Sequence, residues 1–176
     1  STPSRTTIPV GTSTATVLED VLLNGDFEEG AVYWVEPSDD AELIQEGVGT
    51  SGSWGAKLGG RAGAEDSIVQ EVDMPADAQR AFVIFWVKIT DPEPTGEAHS
   101  RLSLTLSRSD ASFHTSLGEY DNTDAPTDWE WRSSGDIDVT PYLGQSVRVV
   151  AAAQTEGLTT FYLDDIAACP VGRGLE

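Results

Sequence analysis

Apolar residues recur along this chain at alternate positions or in short runs between clusters of Gly, Pro, Asp and Ser, and no long segment holds a 3.6-residue apolar period. That pattern predicts an all-β protein. A strand over residues 17–23 enters the domain, and short strands at 42–45 and 54–58 flank the turn-rich stretch 47–52. Another follows at 66–72, ended by Met74-Pro75. The stretch 81–90 is apolar on both faces, with Val83, Phe85, Val87 and Ile89 opposite Phe82, Ile84 and Trp86, so it predicts a central strand needing cover on each side. Residues 101–108 alternate cleanly: Leu102, Leu104 and Leu106 face one way, Arg101, Ser103, Thr105 and Ser107 the other. After a polar loop at 120–128 come strands at 129–133, 146–154 and 159–168, with a turn at Pro141-Tyr142-Leu143-Gly144. Roughly eight or nine strands at this spacing predict a two-sheet antiparallel jelly-roll β-sandwich. There is no internal repeat of the kind that builds solenoids or propellers.

Two segments couple an apolar, strand-like stretch to carboxylates: Leu22-Leu23-Asn24-Gly25-Asp26-Phe27-Glu28-Glu29-Gly30 and Phe161-Tyr162-Leu163-Asp164-Asp165-Ile166. If their strands lie together, Glu28 and an Asp of the final pair can share one hard cation. In Asp121-Asn122-Thr123-Asp124, with Asp128 beyond, the spacing fails the EF-hand loop and reads as Asx-turn chemistry.

Composition narrows the picture. The 176 residues, 39% of them hydrophobic, suit one domain with a core. Residues 1–17, rich in Ser and Thr with Pro3 and Pro9, read as an extended linker; 18–169 as the module; and 170–176 as a tail. Its closing Gly174-Leu175-Glu176 reads as either a vector-derived junction or a natural end. Thirty acidic against ten basic residues give a formal charge of −20, which repels phosphate backbones and anionic membranes. Nucleic acid and membrane are therefore not expected partners; no apolar run reaches spanning length, and no signal-peptide plan opens the chain. The lone Cys169 offers no internal disulfide and no zinc or redox pair. There is no GxSxG, HExxH, P-loop or dinucleotide motif, and His99 and His114 stand apart, so no catalytic residue is expected.

In order and spacing the chain resembles the carbohydrate-binding-module-like jelly rolls of the galactose-binding-domain type, across most of residues 20–168. The carrying pieces are Asn24-Gly25-Asp26-Phe27-Glu28 with Trp34, Gly52-Ser53-Trp54-Gly55-Ala56-Lys57-Leu58-Gly59-Gly60, and Ile68-Val69-Gln70-Glu71-Val72. Phe85-Trp86-Val87, Trp129 ahead of residues 138–147, and the Phe161-to-Ile166 ending complete the set. The resemblance implies a noncatalytic accessory module of a secreted or cell-surface bacterial protein, monomeric, whose partners are a polysaccharide and the parent protein's other domains. Leu58-Gly59-Gly60, Gln70 and Ser116-Leu117-Gly118-Glu119-Tyr120-Asp121-Asn122 look closest to modules beside secreted peptidases and in large surface proteins. That implies an alternative: a structural or interaction module beside a peptidase or adhesin domain, with no sugar site. The resemblance also implies a structural calcium ion held by Glu28, Asp164 and main-chain carbonyls within residues 51–57, those of Ser53 and Lys57. It implies buried tryptophans at Trp34 and Trp129, and Gln70 reads as a structural hydrogen-bonder.

Sugar recognition sets an aromatic face against the apolar side of the ring and takes the hydroxyls with amide, guanidinium and carboxyl groups. Trp86 reads as the wall of a concave face. Arg101, Arg148 and Gln154 fall on the less apolar faces of their strands. With Trp54 and Tyr120, placed in loops, these are the candidate ligand residues. Each has a plainer role as well: a packed ring, a loop wedge, or an arginine paired with surplus surface acid.

Overall fold

The alternating pattern becomes two antiparallel sheets packed against each other. The computed structural model describes residues 7–10, 13–17, 20–36, 42–50, 53–92, 96–110, 112–124 and 128–173. In chain order the strands are β1 (Thr7–Val10), β2 (Ser13–Val17), β3 (Ile44–Gln45), β4 (Gly55–Gly59), β5 (Glu65–Asp73) and β6 (Ala78–Thr90). Then come β7 (Arg101–Arg108), β8 (His114–Asp121), β9 (Glu130–Ser133), β10 (Ile137–Asp138), β11 (Ser146–Gln154) and β12 (Thr160–Arg173). One sheet runs β5-β11-β7-β8. The other centres on β12, which has β6 along one side and β4 and β2 along the other, and β6 carries β9 and β10 on its far edge.

Each sheet buries one face. Leu58, Phe85, Val87 and Phe161 from the β12 sheet meet Ile68, Leu102, Leu104 and Val149 from the four-stranded sheet in one continuous core. Residues of opposite parity face outward, as the two-residue repeat of a strand requires. Trp34 is buried as expected, tilted on Phe27 at 5.2 Å, with its indole N–H donating to Asn24 O at 2.9 Å. Gln70 is buried too, and behaves as a strand partner made from a side chain. Its Oε1 accepts from Leu23 N at 2.7 Å and its Nε2 donates to Leu23 O at 2.8 Å.

Four expectations about the strands differ from the structure. The outer face of β6, with Phe82, Ile84 and Trp86, is partly exposed rather than covered. Of the stretch 17–23, β2 ends at Val17 and residues 20–23 are not a strand; residues 20–34 run as loop and turn instead. Side chains stand in for the ladder there, Gln70 on Leu23 and the Asp20 carboxylate on Leu22 N and Ala168 N. Within the stretch read as linker, β1 and β2 pair antiparallel, and β2 lies along β12 through Val171↔Val17. Finally, β8 carries no strand signal, because only Leu117 is buried along it and a register shift interrupts its pairing with β7. An edge strand wet on nearly every position loses the apolar alternation that marks its neighbours. The stretch 170–176 read as tail begins inside β12, which runs to Arg173; its residues 174–176, like 51–52 and 125–127, lie outside the described residues.

Candidate functional site

The first and last chemically distinctive segments do lie side by side. Ile166 N donates to Gly25 O at 2.9 Å, and the approach is so close that a Cβ on Gly25 would sit 1.8 Å from Ile166 O. Asn24, in the left-handed region at φ 50°, holds the turn together: its Nδ2 donates to Gly30 O and Val32 O, and its Oδ1 accepts from Glu29 N. The Asn-Gly-Asp-Phe-Glu motif thus serves first to let two chain segments touch.

Both proposed metal carboxylates reach the same loop. Asp164 Oδ2 accepts from Thr50 N at 2.8 Å and from Thr50 Oγ1 at 3.0 Å, while its Oδ1 accepts from Asp165 N at 2.8 Å. Glu28 Oε1 accepts from Trp54 N at 3.0 Å. Asp164 is 1% exposed, and burial pushes its carboxyl up to about 6 against the opposing hydrogen bonds from Thr50 and Asp165. The neighbouring Asp165 carboxyl is also raised, by burial first and then by the charges of Asp26 and Glu28. Negative charge therefore gathers here, and among the described residues no ion pair from a basic side chain reaches Asp164.

Glu28 and Asp164 are the carboxylates at this loop whose oxygens could serve a hard cation. The Ser53 carbonyl fits less well, since Gly47 N and Gly49 N donate to it at 3.1 and 2.8 Å and occupy both lone pairs. Lys57 lies within β4, its N–H donating to Leu43 O at 2.8 Å. Among the described residues no three carboxylate, imidazole or thiolate groups converge as a metal cluster. Most of calcium's six to eight oxygens would then be main chain and water.

The sugar candidates separate onto different surfaces. On the outer face of the four-stranded sheet the register aligns Glu65, Gln154, Arg101 and Asp121 in one row, and Ser67, Ala152, Ser103 and Glu119 in the next. Arg148 stands on the same face two rows further on, between Glu71 and Ser107. Over the first two rows lies an open groove of about 350 Å³, continuous with a second of about 430 Å³ that reaches His99, Asp121 and Glu156. Arg101 Nε is 3.0 Å from Glu119 Oε1, and Gln154 Nε2 donates to Glu65 Oε1 at 3.3 Å. Glu65, Asp121 and Glu119 were not among the candidate ligand residues, because only the cross-strand register brings them beside Arg101 and Gln154.

Trp86 is not in this groove. It belongs to β6 in the other sheet and faces outward there, opposite Trp131. The expectation that Trp86 shares a concave face with Arg101 is therefore corrected: the two lie on opposite outer faces of the sandwich. Tyr120 is on β8 rather than in a loop, and its ring turns inward, edge-on to Phe85 at 6.2 Å. Trp54 is partly buried against the core beneath the Glu28 loop, apart from the groove. Trp129, expected in the core, is partly exposed and meets Tyr162 edge-on at 6.3 Å. In the Asx-rich loop, Asp121 Oδ1 accepts from Thr123 N at 2.7 Å and Asp124 Oδ2 from Asp121 N at 2.8 Å, as that reading predicts.

No protein-family model matches the chain, and no curated protein matches it in sequence. Solved structures do. A CBM61 module, TmCBM61, solved with beta-1,4-galactotriose matches with TM-score 0.61 at 17% identity, over 89% of this chain and all 100% of that one. The CBM22-1 xylan-binding domain of Paenibacillus barcinonensis Xyn10C matches with TM-score 0.57 at 16% identity, over 90% and 96%. The K3 cleaved adhesin domain of Lys-gingipain from Porphyromonas gingivalis gives 0.57 at 16%, over 85% and 99%. The chain has the jelly-roll fold of carbohydrate-binding modules. In some longer matched chains, such as the arabinose-bound MgGH51 arabinofuranosidase, the jelly roll spans 27% of the length.

Proposed function

We propose that this jelly roll is a noncatalytic carbohydrate-binding module that takes a glycan across the outer face of its four-stranded sheet. The observation that carries the reading is the groove in which Arg101, Gln154 and Glu65 converge over a floor of small side chains, Ser67, Ser103 and Ala152. A guanidinium, an amide and a carboxylate supply donors and acceptors for vicinal hydroxyls, and the small floor lets a ring approach the sheet. Structures of the same fold have been solved with galactotriose and as xylan-binding domains, which supports a neutral polysaccharide as ligand. That the fold also occurs as one part of longer enzymes supports an accessory role in a secreted or surface-attached parent.

Affinity electrophoresis through gels containing β-1,4-galactan, xylan or other neutral plant and microbial glycans tests this. Retardation by at least one glycan is expected, and Arg101→Ala or Gln154→Ala should remove it while Arg80→Ala does not. Free migration through every gel, with calcium present, sinks the proposal.

A second reading has its own support. Among the described residues lining the groove, the only ring is the His99 imidazole, and a sugar site without an aromatic wall loses its main apolar contact. This favours a structural or interaction module, as in the adhesin-domain match. Under that reading Arg101→Ala changes nothing in any glycan gel.

Calcium belongs to the proposal as well, with Glu28 and Asp164 as its acidic ligands. The supporting observation is the buried Asp164 carboxyl, which shares one loop with Glu28 and has no basic partner among the described residues. Extracellular modules bind calcium with Kd of about 10⁻⁴–10⁻³ M. At ten times Kd the native state gains about 1.4 kcal/mol. Isothermal titration should show one calcium site at neutral pH, absent in Glu28→Gln; no heat beyond a magnesium control counts against it.

A further inference from the structure

The outer face of the β12 sheet carries chemistry that the groove lacks. Register places Lys57 of β4, Tyr162 of β12 and Lys88 of β6 side by side in one row, and Trp129 meets Tyr162 at the end of that row. In the next row Trp86 stands opposite Trp131. Three of the five tryptophans therefore share one face with both of the protein's lysines. Trp131 is 52% exposed, while Trp86, Trp129, Tyr162, Lys57 and Lys88 are each partly exposed. Lys88 Nζ lies 5.2 Å over the Tyr162 ring.

Two features make this more than a packed patch. Among the described residues neither lysine forms an ion pair, although the chain holds thirty carboxylates against ten basic groups. The nearby Glu130 is engaged with Arg132 at 3.0 Å, and Asp164, across from Trp86, is buried under Thr50. Adjacent strands are about 4.8 Å apart, which sets the two lysine Cα atoms roughly 10 Å apart across Tyr162. Flat aromatic surface suits the apolar faces of sugar rings, and two ammonium groups at that separation suit anionic substituents along a chain of them.

We propose that this face is a binding site for acidic polysaccharide, separate from the groove on the other sheet, with Trp86, Trp131, Trp129 and Tyr162 stacking sugar rings and Lys57 and Lys88 taking their carboxylate or sulfate groups. The protein's overall negative charge opposes such a ligand at long range. At physiological ionic strength, however, the screening length is about 8 Å, so contacts made at hydrogen-bond distance outlast the repulsion. Aromatic and ammonium groups side by side on a sheet face suit an extended polymer, whereas a peptide would need a free strand edge or a closed groove.

The test is tryptophan fluorescence titration and affinity electrophoresis of the whole chain with oligogalacturonate, with dextran sulfate, and with xylan as the neutral control. At least one of the two acidic ligands is expected to quench the emission and retard the protein. Trp131→Ala should weaken that binding at least tenfold, Trp131→Phe should retain part of it, and the double variant Lys57→Gln/Lys88→Gln should lose the preference for acidic over neutral ligand. Arg101→Ala, on the opposite sheet, should leave it unchanged, so the two faces stand or fall separately. Absence of binding to both acidic ligands, binding that survives Trp131→Ala, binding lost in Arg101→Ala, or a Trp131→Ala effect confined to self-association would each overturn the proposal.

Discussion

Asp164 is buried at the junction of the two ends of the fold, and its carboxyl titrates near 6 because burial outweighs the hydrogen bonds that Thr50 and Asp165 donate to it. A carboxyl raised on folding binds its proton more tightly in the native state. Its contribution is therefore present below the unfolded-state value of 3.8 and is lost as pH rises through about 6. In calcium-free protein, wild type should lose stability relative to Asp164→Asn over that window, by on the order of 3 kcal/mol. Parallel urea midpoints for the two proteins across this range would refute the assignment. Gln70 makes a second prediction at this scale. Gln70→Leu keeps the volume but strands both polar groups of Leu23, which costs about 1–3 kcal/mol for each group left unsatisfied. Chemical denaturation should show a loss of that order, with Gln70→Glu intermediate because it still accepts from Leu23 N. The reading of Gln70 as a structural hydrogen-bonder agrees with what the structure shows. Its partner was not legible, since Leu23 lies 47 residues away in sequence.

Among the elements, β12 decides most. It pairs with β6, β4 and β2, and a register shift between Asp164 and Ala167 breaks its ladder with β6. Asp165 sits in that irregularity at φ 48°, beside the charges of Asp26 and Glu28. Asp165→Asn keeps a residue that tolerates the left-handed region and removes the repulsion, so it should raise Tm at neutral pH. A lower Tm would show that the charge itself is needed there. The strand pattern of β7 and β11 was readable because each alternates strongly enough to reveal its buried face, whereas the continuous apolar run of β6 marked a strand without showing which face is buried. The weak edge strand β8 was not readable, and Tyr120 was therefore assigned to a loop. No strand states its own sheet, and so Trp86 was placed with Arg101 although their strands stand back to back.

Across the whole molecule, a formal charge of −20 on 176 residues means self-repulsion that folding concentrates into a smaller volume. Added sodium chloride screens it, so Tm should rise between roughly 0.01 and 0.15 M salt, where the Debye length falls from about 30 to about 8 Å. A flat or falling Tm would mean that local ion pairs such as Arg61–Asp66 dominate instead.

The amino-acid order alone determined the all-β class and the inward face of each strongly alternating strand, because side-chain parity and turn chemistry are local properties; the resemblance to carbohydrate-binding jelly rolls rested instead on short motifs in order and spacing. Tertiary structure decided which strands are neighbours. That choice put Arg101, Gln154 and Glu65 into one groove, gathered both lysines and three of the five tryptophans on the opposite face, and brought Gly25 against Ile166. Such contacts join residues far apart in the chain, and cross-strand pairing and close packing select them with no local sequence signal to announce the partner.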